Sequence, residues 1–528
     1  MKRCFLLFAS LVFLGAGALK AERVMVIADP HVIASSLLTA GTAQDEMMSS
    51  NRKMLDLSEP AFLALIDTAL LHHPDLVLLP GDLTKDGEKV SHELVAQQLG
   101  RLRTAGIQVL VIPGNHDISN PSSYSYIGDQ KTKVANISDA EFDAIYADFM
   151  PSAATARDAD SHSYVAEPFP GVTVLAIDGA HANAGTGSLS ENTQNWLLAQ
   201  ADQAAEKGHL IIGMCHWQLL EHFDGQSSLE SACRLSNADA FRDKLIAHGV
   251  HLVLTGHFHV NGTTTWVSES NPNDSIVEIT TGSPITYPCP YRWLVVPDDR
   301  TGVAVATDDI ESLGAISDMN TYSRDWMREH ATAMIPNLAL RAWGKVDNNW
   351  DRVETALGKV GMAWMSPILK AKLPSTDEAR IDLVQRHLGK HAVNLYLFHS
   401  EANENERPEE GQALADSLYK GMDGMMKEVF GSLEVLGVFS ALAREMAEEP
   451  LQSLVEDVTQ RGKANENLTN DLFPMLRLNK PWVNPSTAVE NISETDEAEA
   501  AFDMLGRPVR QAAPGQVIIR GKKKVMKH

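Results

Sequence analysis

From Arg23 to about Val305, short apolar runs alternate with stretches in which apolar residues recur three and four positions apart. The apolar runs are Val24–Ala28, Leu76–Leu79, Val109–Ile112, Val172–Ile177, Leu210–Met214 and Leu252–Leu254. Their length and β-branched content predict buried strands, and the intervening periodicity predicts helices over Phe62–Leu71, Leu94–Ala105, Glu191–Glu206 and Ala238–His248. Strands alternating with helices build a layered α/β domain. Ile276–Ile279, Trp293–Val296 and Val303–Val305 add strands that extend or face the first set.

The pattern changes after about Ser312. Met, Ala, Leu and charged residues dominate, and successive helices are predicted. The clearest opens at Ser375-Thr-Asp-Glu378, read as a capping box, with Ile381, Val384, Leu388, Ala392 and Leu395 on one face. The chain therefore divides into a catalytic-type domain over 22–311, a helical domain over 312–479, an acidic linker over 480–500 and a basic-ended tail over 501–528.

Composition adds three constraints. The formal net charge of −24 argues against nucleic-acid backbone as a general partner, because phosphate chains require a basic surface. Met1-Lys2-Arg3, the apolar run Cys4–Leu14 and the small residues Gly15–Ala18 form a secretory signal peptide, assigned to 1–21. The run is too short to span a bilayer, and no other segment is a transmembrane candidate, so an extracytoplasmic location is expected. Outside that leader, Cys215, Cys233 and Cys289 allow one disulfide and one free thiol, with the pairing open.

The chemistry lies where the strands end. Asp29-Pro-His31 follows the first apolar run, Gly81-Asp82 the second, Gly114-Asn-His-Asp117 the third, His216 the Leu210 run and Gly256-His-Phe-His259 the Leu252 run. In open α/β sheets, side chains from separate segments converge at the carboxyl edge of the strands. Residues two apart in extended chain point the same way, which pairs Asp29 with His31 and His257 with His259. A single His at a strand end is ordinary. The joint set of Asp, Asn and His exceeds what one ion takes and suits two divalent ions sharing a carboxylate, about 3.5 to 4 Å apart.

These motifs, in this order, resemble the calcineurin-like metallophosphoesterase family over roughly Val24–Arg292. The resemblance implies a four-layer α/β/β/α sandwich carrying a C-terminal all-helical domain. It implies that Asp29, His31 and His259 bind one metal, that Asn115, His216 and His257 bind the other, and that Asp82 bridges them, with Mn, Fe or Zn as the ions. It further implies that a metal-bound hydroxide attacks phosphorus while His116 serves as general acid. Asp86 is the first candidate to orient His116, and Asp117 the second.

The expected activity is hydrolysis of phosphodiesters or phosphomonoesters, with a nucleotide or phospholipid head group among possible substrates. The alternative is a non-catalytic, metal-stabilised binding protein of the cell surface. Other features read as structural: His387 and His391 as a solvated helix face, Cys215 as a packed strand residue, and Thr281–Arg292 as a structural loop. The segment 119–162, with Tyr124, Tyr126 and Lys131, is a candidate lid. Ala501–Arg507 followed by Pro514–Lys524 resembles the type IX sorting tail of exported Gram-negative proteins, with Gln516-Val517 in place of the usual aromatic, and implies export machinery as a partner.

Overall fold

The apolar runs become strands in two six-stranded sheets. In the first, Ala21–Val26, Leu76–Pro80 and Gln108–Ile112 run parallel, and Pro290–Pro297 and Gly302–Asp309 continue antiparallel on the other side of Ala21–Val26. In the second, Val172–Ile177, Leu210–Cys215, Leu252–Thr255 and Ser275–Thr280 are parallel, flanked by antiparallel Tyr164–Phe169 and Gly262–Val267. The computed structural model describes residues 21–431 except 152–155, 181–185, 223–225, 230, 272–273, 301, 332–334, 349, 360–362 and 402–406. It also describes the strands Met475–Arg477, Ala501–Phe502, Pro508–Val509, Val517–Arg520 and Lys523–Met526. The expected signal peptide, apart from Ala21, and the expected linker lie outside the described residues.

Strand alternation explains the layering. Val174, Ile212, Met214, Leu254 and Ile279 join the core shared with the first sheet. Their neighbours Leu175, Ile211, Cys215, Val253 and Ile276 join a second core with Leu197, Ala201, Phe241 and Leu245 of the helices Glu191–Glu206 and Ala238–Ala247. Each strand thus feeds one face to the opposing sheet and the other to helices, as a period of two requires. Helices Ser58–His72 and Lys89–Thr104 cover the first sheet through Phe62, Leu65, Val95 and Leu99, which completes an α/β/β/α sandwich.

Past Asp309 the chain is helical from Met319–His330 to Pro408–Phe430. Within the stretch read as helical, Met475–Arg477 pairs antiparallel with Gly302–Asp309, so the chain returns to the first sheet. The tail strands form a small four-stranded sheet, and no strand was expected there. Among the described residues, no helix is long and apolar enough to cross a membrane.

Several local expectations are corrected. The cap near 375 is Thr376, whose side chain accepts from the Ala379 N–H; with alanine at that position no carboxylate reaches back to the cap, so a simple N-cap replaces the box read from Ser375. A π-helical turn over Gln385–Gly389 follows the Asp377–Val384 helix and rotates the buried face. Val393 and Leu397 are consequently buried, while Leu388 and Ala392 of the simple periodic reading are only partly so. His387 bonds Glu428 at 2.7 Å and His391 bonds Ser417 at 2.8 Å, so both hold the neighbouring helix instead of facing solvent freely.

Within the candidate lid 119–162, the hairpin after Ser123 is packed against the domain. This hairpin, Tyr124–Ile127/Gln130–Lys133, pairs with Leu38–Thr39, and Tyr126 is buried beneath Lys85 and Lys131. Arg292 is fully buried and donates to the Thr280 carbonyl at 3.1 Å, tying one sheet to the other, as expected of a structural residue. The cysteines Cys215, Cys233 and Cys289 are all buried, and among the described residues no disulfide joins any two of them, so the one expected as possible is not formed.

Candidate metal centre

The parallel strands deliver their polar residues to one rim through unusual backbone. Asp29, His31, Asp82, His257 and His259 all have positive φ, between 42° and 66°. That left-handed region costs non-glycine residues about 1–3 kcal/mol, and Asp and His tolerate it better than most. The strain turns the side chains inward. Glycines allow the close approach: a Cβ on Gly114 would lie 2.2 Å from Asp82 Oδ1, and one on Gly256 2.3 Å from Asp29 Oδ2. No side chain fits at either position.

Two groups of ligand atoms result. Asp29, His31, Asp82 and His259 form one, and Asp82, His216 and His257 the other, the atoms of each group lying within 4.8 Å of one another. In the first, His31 Nε2 and His259 Nε2 are 2.9 Å apart, His31 Nε2 is 3.5 Å from Asp82 Oδ2, and His259 Nε2 is 3.4 Å from Asp29 Oδ1. In the second, His216 Nε2 lies 3.4 Å from Asp82 Oδ2, 3.1 Å from Asn115 Oδ1 and 3.1 Å from His257 Nδ1. Asp82 belongs to both.

The hydrogen bonds behind the rings assign the tautomers. His216 Nδ1 donates to the Pro80 carbonyl at 2.9 Å, and His257 Nε2 donates to the Ala232 carbonyl at 3.0 Å. The inward atoms His216 Nε2, His257 Nδ1, Asn115 Oδ1 and Asp82 Oδ2 are therefore lone-pair donors with at most one proton among them. Such a convergence is repulsive unless a cation occupies it, and the donor set of imidazole, amide oxygen and carboxylate suits a divalent transition metal.

The electrostatics point the same way. Burial pushes His257 down to about 3, and His31 and His259 well below the ordinary imidazole range, so all three are neutral, as metal ligation requires. Burial pushes Asp29 up to about 8. Burial opposes charge on His216 too, but the Asp82 carboxylate overrides it and lifts His216 to about 9. A proton on His216 thus holds the second group together without metal, and a divalent ion would displace it.

His116 stands at the edge of the centre. Its ring is 4.8 Å from that of His31, its backbone N–H donates to Asp82 Oδ1 at 2.9 Å, and its side chain is 27% exposed, open enough to meet a substrate. Nδ1 lies 2.8 Å from Asp86 Oδ1, and Asp86 also pairs with buried Lys85. Burial would raise the Asp86 carboxyl, but His116 and Lys85 hold it below its usual range. Asp117 does not reach the His116 ring. Its carboxylate accepts from the N–H groups of Leu83, Thr84 and Gly114, which pins the two site loops together.

Two side chains that the sequence did not single out border the centre. Lys53 Nζ is 3.5 Å from His31 Nδ1, and Arg52, the residue before it, bears electrostatically on His259. Phe258, between the paired histidines, packs near His222 and His399, so the helical region reaches this edge.

A family model described as calcineurin-like phosphoesterase matches residues 22–261. A solved structure titled as a dimetal phosphatase from Danio rerio is 14% identical, with a TM-score of 0.40, over 54% of this chain and 95% of that one. No curated protein matches the chain.

Proposed function

Since residues 22–261 belong to the calcineurin-like phosphoesterase family, and the chain is on that footing a metal-dependent phosphoester hydrolase, we propose that it cleaves phosphodiesters or small phosphomonoesters at a dinuclear centre. The single observation that carries this reading is the Asp82 carboxylate shared by two groups of ligand atoms, with His116 beside them. On this reading Asp29, His31 and His259 hold one ion, Asn115, His216 and His257 the other, and Asp82 both. When bound, the ions would bring water toward neutral acidity and hold the phosphoryl oxygens.

The protein's own groups supply the remainder. Nδ1 of His116 is engaged by Asp86, which leaves Nε2 to carry the proton delivered to the departing alkoxide. Lys85 keeps Asp86 ionised, so Asp86 stabilises the imidazolium and fixes its ring. Asp117 keeps the loops bearing Asp82 and His116 in register.

Export is part of the proposal. The charged start, short apolar run and small residues before Ala21 support a secreted or periplasmic protein, and the resemblance of 501–528 to a sorting tail supports export machinery as its partner.

The test is hydrolysis of bis-p-nitrophenyl phosphate and p-nitrophenyl phosphate with manganese present. Wild type should cleave at least one, and His116→Ala should lower kcat by about a hundredfold or more. Failure of wild type on both, with no change in His116→Ala, leaves the cell-surface binding protein as the better account.

A further inference from the structure

The loops that carry His116 and Asp86 are gripped by one stretch of chain, the inserted residues 120–136. Asn120 Nδ2 donates to the His116 carbonyl at 3.1 Å, and Ser123 Oγ to the Asp86 carbonyl at 2.6 Å. Asn136 Nδ2 braces the first of these by donating to the Asn120 carbonyl at 2.8 Å, and the Lys89 N–H donates to the Ala135 carbonyl at 2.9 Å. The insertion therefore frames both loops from behind.

A further link runs through side chains. Lys85, only 5% exposed, directs its ammonium to the Asp86 carboxylate and to the face of Tyr126, whose ring centre lies 5.3 Å from Nζ. Tyr126 is also 5% exposed and is registered between Leu38 and Lys131 in the small sheet, so its ring has little freedom. A lysine stem is flexible, and pairing with Asp86 alone would let the ammonium swing; the ring face holds it on a second side. Asp86 then has Oδ2 on Lys85 and Oδ1 on His116 Nδ1, the latter at 2.8 Å. Contacts thus run without a gap from Tyr126 through Lys85 and Asp86 to the imidazole. A proton donor displaced by a fraction of an ångström loses much of its effect.

We propose that Tyr126 is a positioning residue for His116: its ring face fixes the Lys85 ammonium, Lys85 fixes Asp86, and Asp86 aims the imidazole at the departing oxygen, with residues 120–136 as the frame. The proposal rests on the phosphoesterase reading for the reaction, but not for the chain of contacts. A departing phenolate needs the His116 proton more than a departing p-nitrophenolate, whose charge is spread onto the nitro group. Misplacing His116 is therefore felt unequally by the two.

The experiment compares bis-p-nitrophenyl phosphate with diphenyl phosphate, and p-nitrophenyl phosphate with phenyl phosphate, on manganese-loaded wild type, Tyr126→Leu and Tyr126→Phe. In whichever pair wild type cleaves, Tyr126→Leu should lower kcat about tenfold on the phenyl ester and about threefold or less on the nitrophenyl ester, with KM unchanged. Tyr126→Phe, which keeps the ring face, should stay within about twofold of wild type on both. Equal losses on the two esters, or wild-type kinetics in Tyr126→Leu, overturn the proposal. A second readout needs no turnover: the His116 Nδ1–H resonance in proton NMR of chelator-treated protein, identified by its loss in His116→Ala. It should be present in wild type and Tyr126→Phe and lost to exchange in Tyr126→Leu. Persistence in Tyr126→Leu, or absence from wild type, overturns the proposal whatever the turnover. Loss in Tyr126→Leu alone, without hydrolysis of any ester by wild type, supports the contact chain and removes the phosphoesterase reading. Lys85→Met breaks the same chain one contact further on and carries both comparisons where Tyr126→Leu does not fold.

Discussion

Glu278 shows how single residues beneath the centre carry a measurable cost. It is buried and accepts from the Leu219 and Leu220 N–H groups at 2.6 and 3.0 Å, with Thr255 Oγ1 at 3.3 Å. Burial nevertheless pushes it up to about 7. An acid whose folded pKa is raised binds more protons folded than unfolded, so stability is lost as pH rises from about 4.5 to about 7. Glu278→Gln removes that slope while keeping an acceptor for both N–H groups. Thermal melts should show the variant gaining on wild type between pH 5 and pH 8, by on the order of 2–3 kcal/mol. Parallel curves would show that Glu278 stays ionised at little cost. At this scale the candidate ligands were legible because Asp, Asn and His recur at strand ends with telling spacing. Arg52 and Lys53 were not, because their stretch has no periodicity and only the tertiary fold brings it to His31.

At the scale of elements, the strand end Thr255–His259 does the dividing. Left-handed backbone at His257 and His259 flanks Phe258 and sends the two imidazoles to different groups of ligand atoms. His257→Ala and His259→Ala should therefore deplete different ions, detectable by elemental analysis after loading with two distinguishable metals. Loss of the same ion in both would contradict the division. Sequence periodicity located the central strands and the covering helices to within a few residues, since each buries a regular face. It missed Tyr164–Phe169, Gly262–Val267 and the hairpin after Ser123, which are edge or insertion strands with mixed faces. The inserted π turn at Gln385–Gly389 shifts a helical face without any sign in the apolar spacing.

At the scale of the whole molecule, the helical region is packed onto the catalytic side. Val393 and Leu397 join Tyr287, Met327 and Ala331 in one buried cluster, and Tyr287 bonds Glu401. Leu397→Ala should cost about 2–5 kcal/mol of stability and expose the Lys390–Ser400 helix to limited proteolysis. Unchanged melting and cleavage would show that the contact is dispensable. The α/β class and the change to helices after 312 were readable from composition and period. The order of strands, the return of Met475–Arg477 to the first sheet and the docking of the helices depend on long-range contacts that no local pattern encodes.

The claim on which the rest depends is that Asp82 serves two ions at once. Metal content per chain, measured on wild type and Asp82→Ala with phosphoester hydrolysis followed on the same samples, tests it directly. Wild type should hold two ions and turn over substrate, whereas Asp82→Ala should lose both ions and the activity together. Retention of two ions and of the wild-type rate by Asp82→Ala would contradict the account.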